Sequence, residues 1–191
     1  MSTVIKAPAV IFKGDTVVQP KKTGRKTYSP TKAFVPTHPT KRRRLGEIEN
    51  DLFIKAYTAD PMDVVYVIKK GVEPGVIDAV AARMKVSKEK LLITLGLARA
   101  TTSRKASKSQ TLSSDASSRV FGIARLIGQV EAMVNESGDP SGFDAAQWVA
   151  QWLEQSLPAL DGRKPAEFMD TAEGQQLVSR LLAQAQSGAY A

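Results

Sequence analysis

The chain has 191 residues, with 27 Lys and Arg against 19 Asp and Glu, a formal net charge of +8, one His and no Cys. This inventory largely excludes zinc sites, iron-sulfur clusters, disulfides, cysteine nucleophiles and serine-histidine-aspartate triads, and the basic balance suits acidic partners such as nucleic acid. Hydrophobic residues make up 42 % but aromatics only 6 %, which favours small helical domains over a sandwich or barrel; the expected class is all-α, soluble and cytoplasmic, without membrane span, metal or cofactor.

Residues 1–45 read as a flexible basic arm. Up to Arg44 there are eleven basic side chains and the single acid Asp15, a net +10 that leaves −2 for the rest, and five of the ten prolines also fall here. No helical or strand period is sustained, so self-repulsion and lack of core material favour disorder. Lys41-Arg42-Arg43-Arg44 suits phosphate binding without sequence choice, or equally a solvated spacer. His38 has no second His or Cys to share a metal with. The Ala7–Phe12 stretch is too short for a signal-peptide core or a membrane span.

Residues 46–112 form the expected middle domain. A first helix over Glu47–Tyr57 places Ile48, Leu52 and Tyr57 on one face; Asp60-Pro61 starts a second, carrying Val64, Val65, Val67 and Ile68 and closed by Gly71. Val76, Ile77, Val80, Ala81 and Met84 share one helical face. Ser87 caps the next helix, with Leu91, Leu92 and Leu95, which stops at Gly96. Past Leu97 a cationic helix follows, with Arg99, Thr101, Thr102, Ser103, Arg104, Lys105 and Lys108. Helix, glycine turn and cationic helix is the grammar of a helix-turn-helix, in which Arg can pair with guanine and Thr or Ser can reach base edges or phosphate. An ordinary helical hairpin with a solvated basic face fits the same residues.

Residues 113–191 form the third expected region. Ser113 or Ser114 with Asp115 starts a long helix to about Asn135, in which Val120, Ile123, Ala124, Ile127, Val130 and Val134 recur at steps of three and four. After the turn cluster 135–142, Phe143, Ala146, Val149, Ala150 and Leu153 form another stripe, with Trp148 and Trp152 as core anchors. Pro158 and Gly162 bracket a loop, Pro165 opens a short helix, and Asp170 with Glu173 has capping-box spacing for a last helix carrying Leu177, Val178, Leu181 and Leu182. Gly188 is a C-cap, leaving Ala189-Tyr190-Ala191 as a short tail.

Several ordered motifs of this third region are familiar. Arg119, Ala124-Arg125, Trp148 with Trp152-Leu153, the loop Pro158-Ala159-Leu160-Asp161-Gly162-Arg163-Lys164-Pro165, Thr171-Ala172-Glu173-Gly174 and the final Gly188-Ala189-Tyr190-Ala191 resemble the toxin-binding domain of the Xre/MbcA/ParS antitoxin family. Lys70-Gly71-Val72-Glu73-Pro74, Leu95-Gly96-Leu97 and Ser103-Arg104-Lys105 are similar to its Xre-like helix-turn-helix, although Thr102 stands where leucine is expected.

The resemblance implies a bacterial type II antitoxin; an enzyme is not expected, because the single His lies in the arm and no Gly-rich phosphate loop follows a strand. Its implied partners are a RES-domain toxin that consumes NAD, operator DNA for autoregulation, and a second copy of itself in a homodimer. Toxin contacts are expected at Gly162, Arg163, Pro165, Gly188, Tyr190 and Ala191, and the residues themselves add a mechanism: a capped last helix can present Tyr190 and the terminal carboxylate to a concave active site and occlude it, while Arg163 on the loop can pair with carboxylates. The competing reading is a stand-alone helix-turn-helix regulator or partitioning protein whose terminal domain only self-associates.

Overall fold

Asp60, at the start of the second helix, accepts a bond from the Met62 amide at 2.8 Å just ahead of Pro61, so the dipeptide starts a helix as its chemistry dictates. In the computed structural model the described residues are 50–137 and 141–186, and all belong to one compact unit, Thr40–Ala191. They are all-α. The basic arm, 1–45, lies outside the described residues.

The helices run α1 (Asn50–Thr58), α2 (Pro61–Lys70), α3 (Gly75–Met84), α4 (Lys88–Thr94), α5 (Arg99–Ser107), α6 (Ser114–Ser137), α7 (Ala145–Trp152) and α8 (Ala172–Gln186), with single 3-10 turns at Pro158–Leu160 and Pro165–Phe168. The β-branched run Val64–Ile68, which alone also permits a strand, is helical.

α6 is the axis of the fold. Its apolar stripe buries Val120, Ile123, Ala124, Leu126, Ile127 and Val130, and α1, α2, α7 and α8 all pack on it. Ser113 caps it, its hydroxyl accepting from the Ala116 amide at 3.3 Å. α1 approaches α6 at backbone distance: a Cβ on Gly128 would stand 1.9 Å from the Phe53 carbonyl oxygen. That contact corrects the expected face of α1, because Phe53 and Ala56 are buried while Leu52 and Tyr57 remain exposed; Ile48 lies outside the described residues. One hydrophobic core runs continuously from Phe53 through the leucines of α4 to Val178 and Leu182 of α8.

Two further expectations change. Thr171, not Asp170, caps α8, its hydroxyl accepting from the Gly174 amide at 3.0 Å; with helix starting at Ala172, Glu173 sits one residue too early for a capping box. Of the two tryptophans only Trp152 is buried. Trp148 is 36 % exposed, stacked on Trp152 at 6.0 Å between ring centroids and tilted against the exposed Phe143 at 6.3 Å.

Candidate DNA-binding turn and toxin-binding surface

The turn between α4 and α5 is built from local chemistry. Ser87 accepts from the Lys90 amide at 3.1 Å and starts α4, while Leu91, Leu92 and Leu95 bury its inner face. Gly96 then takes a φ of 60°, a left-handed conformation that glycine adopts without steric cost. The Leu97 amide closes the turn on the Leu92 carbonyl at 2.8 Å, and α5 departs at Arg99.

Arg119 of α6 holds this turn from outside. Its Nη1 donates to the carbonyls of Leu95 at 3.0 Å and Gly96 at 2.9 Å, and its Nη2 pairs with Asp115 one helical turn earlier. A Cβ on residue 96 would stand 3.0 Å from that guanidinium nitrogen and from the Asp170 Cβ, a tight fit that the two side chains would have to relieve, so the left-handed conformation is the main demand for glycine here. The carbonyl of Arg119 in turn accepts from Gln175 Nε2 of α8 at 3.0 Å, and the same amide nitrogen reaches the Met169 carbonyl at 2.8 Å. No sequence period announces this clamp: Arg119 stands among the motifs of the family resemblance, but its bonds to the turn follow only from the fold, which brings a guanidinium with several donors in a fixed fork against two carbonyls.

α5 presents most of its expected contact residues outward. Arg99, Thr101, Ser103, Arg104 and Lys108 are exposed, and Arg99 pairs with Glu89 at 3.4 Å across the turn. Lys105 is half-buried, its Nζ donating to the Thr111 carbonyl at 2.8 Å. Thr102 is a correction: it is buried, and its hydroxyl donates to the Ala98 carbonyl at 3.1 Å. It fills the inward position of a helix with no other buried residue, and so offers nothing to a base edge.

The loop after α7 is a set of tight turns. The Gly162 amide donates to the Leu157 carbonyl and the Arg163 amide to the Leu160 carbonyl, while the Leu157 amide returns to the Arg163 carbonyl, each at 3.0 Å. Asp161 and Gly162 both take positive φ, 54° and 77°, which turns Arg163 outward on a closed scaffold. Gly162 and Arg163 are exposed. Pro165 is fully buried; the expected toxin contact there is corrected to a structural role, opening the 3-10 turn that carries Phe168 toward the core. Gly188, Tyr190 and Ala191 lie outside the described residues.

Glu154 joins this loop to α4. It pairs with Lys164 at 3.1 Å and with Lys90 at 3.1 Å, and those two ammonium groups, Lys164 foremost, hold its carboxyl below the ordinary carboxylate range. Among the described residues no cluster of three or more His, Cys, Asp or Glu is arranged to hold a metal ion, and no helix is long and apolar enough to cross a membrane.

Two regions of the chain match family descriptions. Residues 63–125, α2 into α6, match the antitoxin Xre-like helix-turn-helix domain, and residues 138–188 match the antitoxin Xre/MbcA/ParS C-terminal toxin-binding domain. A protein of Sphingobium sp. (strain YBL2), described as a Prs ADP-ribosylating antitoxin, is 48 % identical over 135 residues, which cover 71 % of this chain and 85 % of that one. The chain belongs to the Xre/MbcA/ParS antitoxin family.

As an antitoxin of this family it carries a helix-turn-helix followed by a toxin-binding domain. The turn held by Arg119 lies within the first match. The Gly162-Arg163 loop and the Phe143–Trp148 aromatic surface lie within the second. The exposure of Trp148 departs from expectation, since tryptophans at helical spacing read first as core.

Proposed function

We propose that this antitoxin neutralises a RES-domain, NAD-consuming toxin by binding it directly and occluding its active site, and that it represses its own operon through α5. The observation that carries the reading is one chain holding an outward-facing cationic helix on a clamped glycine turn and, beyond the same clamp, an exposed arginine on a closed loop. The relative's printed description concerns ADP-ribosylation, a transfer in which NAD supplies the ADP-ribose, and this supports an NAD-consuming partner here.

In this reading residues 1–45 tether DNA, 46–112 read the operator and 113–191 hold the toxin. Arg99, Thr101, Ser103, Arg104 and Lys108 face the major groove, with Lys105 at the end of the helix. Gly162, Arg163 and the segment Gly188, Tyr190 and Ala191 engage the toxin; Arg163 pairs with a carboxylate and Tyr190 enters the concave site. The antitoxin acts by contact in the cytoplasm and catalyses nothing itself.

Mixing the purified RES-domain toxin with the full chain should abolish NAD consumption. Arg163→Ala combined with truncation after residue 187 should restore most of that consumption. Inhibition undiminished by both changes would remove active-site occlusion, and absence of a complex would remove the toxin assignment altogether.

A further inference from the structure

Three polar residues are buried among the described residues, Thr102, Ser117 and Gln129. Thr102 bonds within its own helix and Ser117 accepts from the Val72 amide at 2.9 Å; Gln129 alone reaches a second helix. Its Nε2 donates to the Ser179 carbonyl at 3.0 Å, and the Ser179 hydroxyl donates to its Oε1 at 2.6 Å. α6 and α8 thus satisfy each other's polar groups reciprocally in the core. A leucine at 129 would fill similar space without an amide to desolvate, so packing alone does not account for this residue.

One turn earlier on α8, Gln175 makes a second anchor. Its Nε2 reaches the Arg119 and Met169 carbonyls, and its Oε1 lies only 1.6 Å from where a Cβ on Gly122 would stand. The side chain fills a notch in α6 that only glycine leaves open. Beside these anchors α8 meets the core through Val178 and Leu182, and apolar contact is non-directional. If α8 slid by a turn, one aliphatic side chain would replace another, but the polar bonds would break and leave buried atoms unsatisfied. Such a slide moves the end of the helix by about 5.4 Å. Chain continuity carries that shift into residues 187–191.

We propose that Gln129 and Ser179 are positioning residues for toxin neutralisation: their reciprocal pair fixes the register of α8 on α6, and so the point from which the terminal segment meets the toxin. The role in neutralisation rests on occlusion by the Tyr190 segment, as proposed above; the register itself does not. Gln175 also supports the Arg119 clamp, whereas the Gln129 pair, farther along α8, serves the placement of that helix alone.

The chain has no Cys, so cysteines introduced at the exposed Gln110 and Ala183 carry two spin labels at defined places on the full chain. Pulsed electron resonance should give one narrow distance. With Gln129→Leu and Ser179→Ala added, the distribution should broaden or shift by about 5 Å, one helical turn. Removing both polar partners together leaves neither orphaned, so the melting temperature should hold within a few degrees. In an assay of NAD consumption by the RES-domain toxin, the unlabelled double variant should need at least about tenfold more antitoxin than the wild type for half-inhibition. Val178→Ala, which cuts the packing of the same helix but keeps the pair, should melt lower than the double variant and inhibit like the wild type.

An unchanged narrow distance in the double variant would overturn the register assignment, whatever the toxin does. A double variant that melts far below the wild type would also overturn it, because the pair would then serve stability. A shifted distance with undiminished inhibition would overturn the positioning role, as would equal loss of inhibition in Val178→Ala. Full inhibition by a chain ended at residue 187 would instead strike occlusion, and the positioning role with it, while the distance measurement still decides the register.

Discussion

Gln175 of α8 donates to the backbone carbonyl of Arg119 at 3.0 Å, and the guanidinium of Arg119 grips the two carbonyls of the helix-turn-helix turn. One residue thus faces both functions of the chain. Its side chain is only 18 % exposed, so the bonds to the Leu95 carbonyl and from Gln175 are partly shielded from competing water, while the bond to the Gly96 carbonyl lies at the surface.

Arg119→Ala should lower stability by about 1.5–3 kcal/mol, the range for hydrogen bonds to a charged group. Because the lost bonds fix the orientation of α5, operator affinity should fall further than toxin affinity. Thermal melting with parallel DNA and toxin titrations checks this; equal loss of both affinities would make Arg119 a general stabiliser and nothing more.

The buried and exposed residues of α5 separate cleanly. Thr102→Val should leave operator affinity within about a factor of three, whereas Arg104→Ala should weaken it and reduce the slope of log affinity against log salt by about one. Removing residues 1–44 should lower affinity for every DNA sequence and flatten that slope more. Gel shifts over a salt series distinguish these cases, and a Thr102→Val variant as defective as Arg104→Ala would contradict the placement of α5.

Gly128→Ala should destabilise the fold by about 1–3 kcal/mol through overpacking, since the added methyl points at the Phe53 carbonyl and the α1 backbone has to move. Chemical denaturation reads this directly. An unchanged midpoint would mean that α1 is not seated on α6 as described.

Glu131 supplies a pH dependence. Burial raises its carboxyl from 4.5 to about 7, partly opposed by Arg83 and reinforced by Asp144. The folded state therefore keeps a proton that the unfolded chain releases at lower pH, so this group's contribution to stability diminishes as pH rises from 4.5 to about 7 and is least favourable above that. Glu131→Gln, which cannot ionise, should raise the melting temperature at about pH 8 more than at about pH 5. An equal shift at both values would mean that Glu131 titrates normally.

Local chemistry was legible in the sequence where a residue acts on its immediate neighbours. Asp60-Pro61, Ser87 and Gly96 start or stop helices as expected, and the steps of three and four along α6 select its buried face. Choices between near-equivalent residues were not legible. Thr171 and Asp170 can both cap, and the register of α8 decides between them. The face of α1 was misplaced because Ile48, Leu52 and Tyr57 make a plausible stripe, while the close approach at Gly128 turns Phe53 inward. Thr102 and Pro165 look like contact residues in a motif, yet both are spent on packing. The Arg119 clamp joins residues far apart in the chain, and no periodicity encodes such a bond.

The most direct test of the central claim is growth and cellular NAD in bacteria expressing the RES-domain toxin alone, with the full antitoxin, and with the antitoxin ended at residue 187. The account predicts that NAD falls and growth stops with the toxin alone, that both recover with the full chain, and that the truncated chain gives little rescue. A full chain that fails to restore NAD would contradict neutralisation, and complete rescue by the truncated chain would contradict occlusion by the Tyr190 segment.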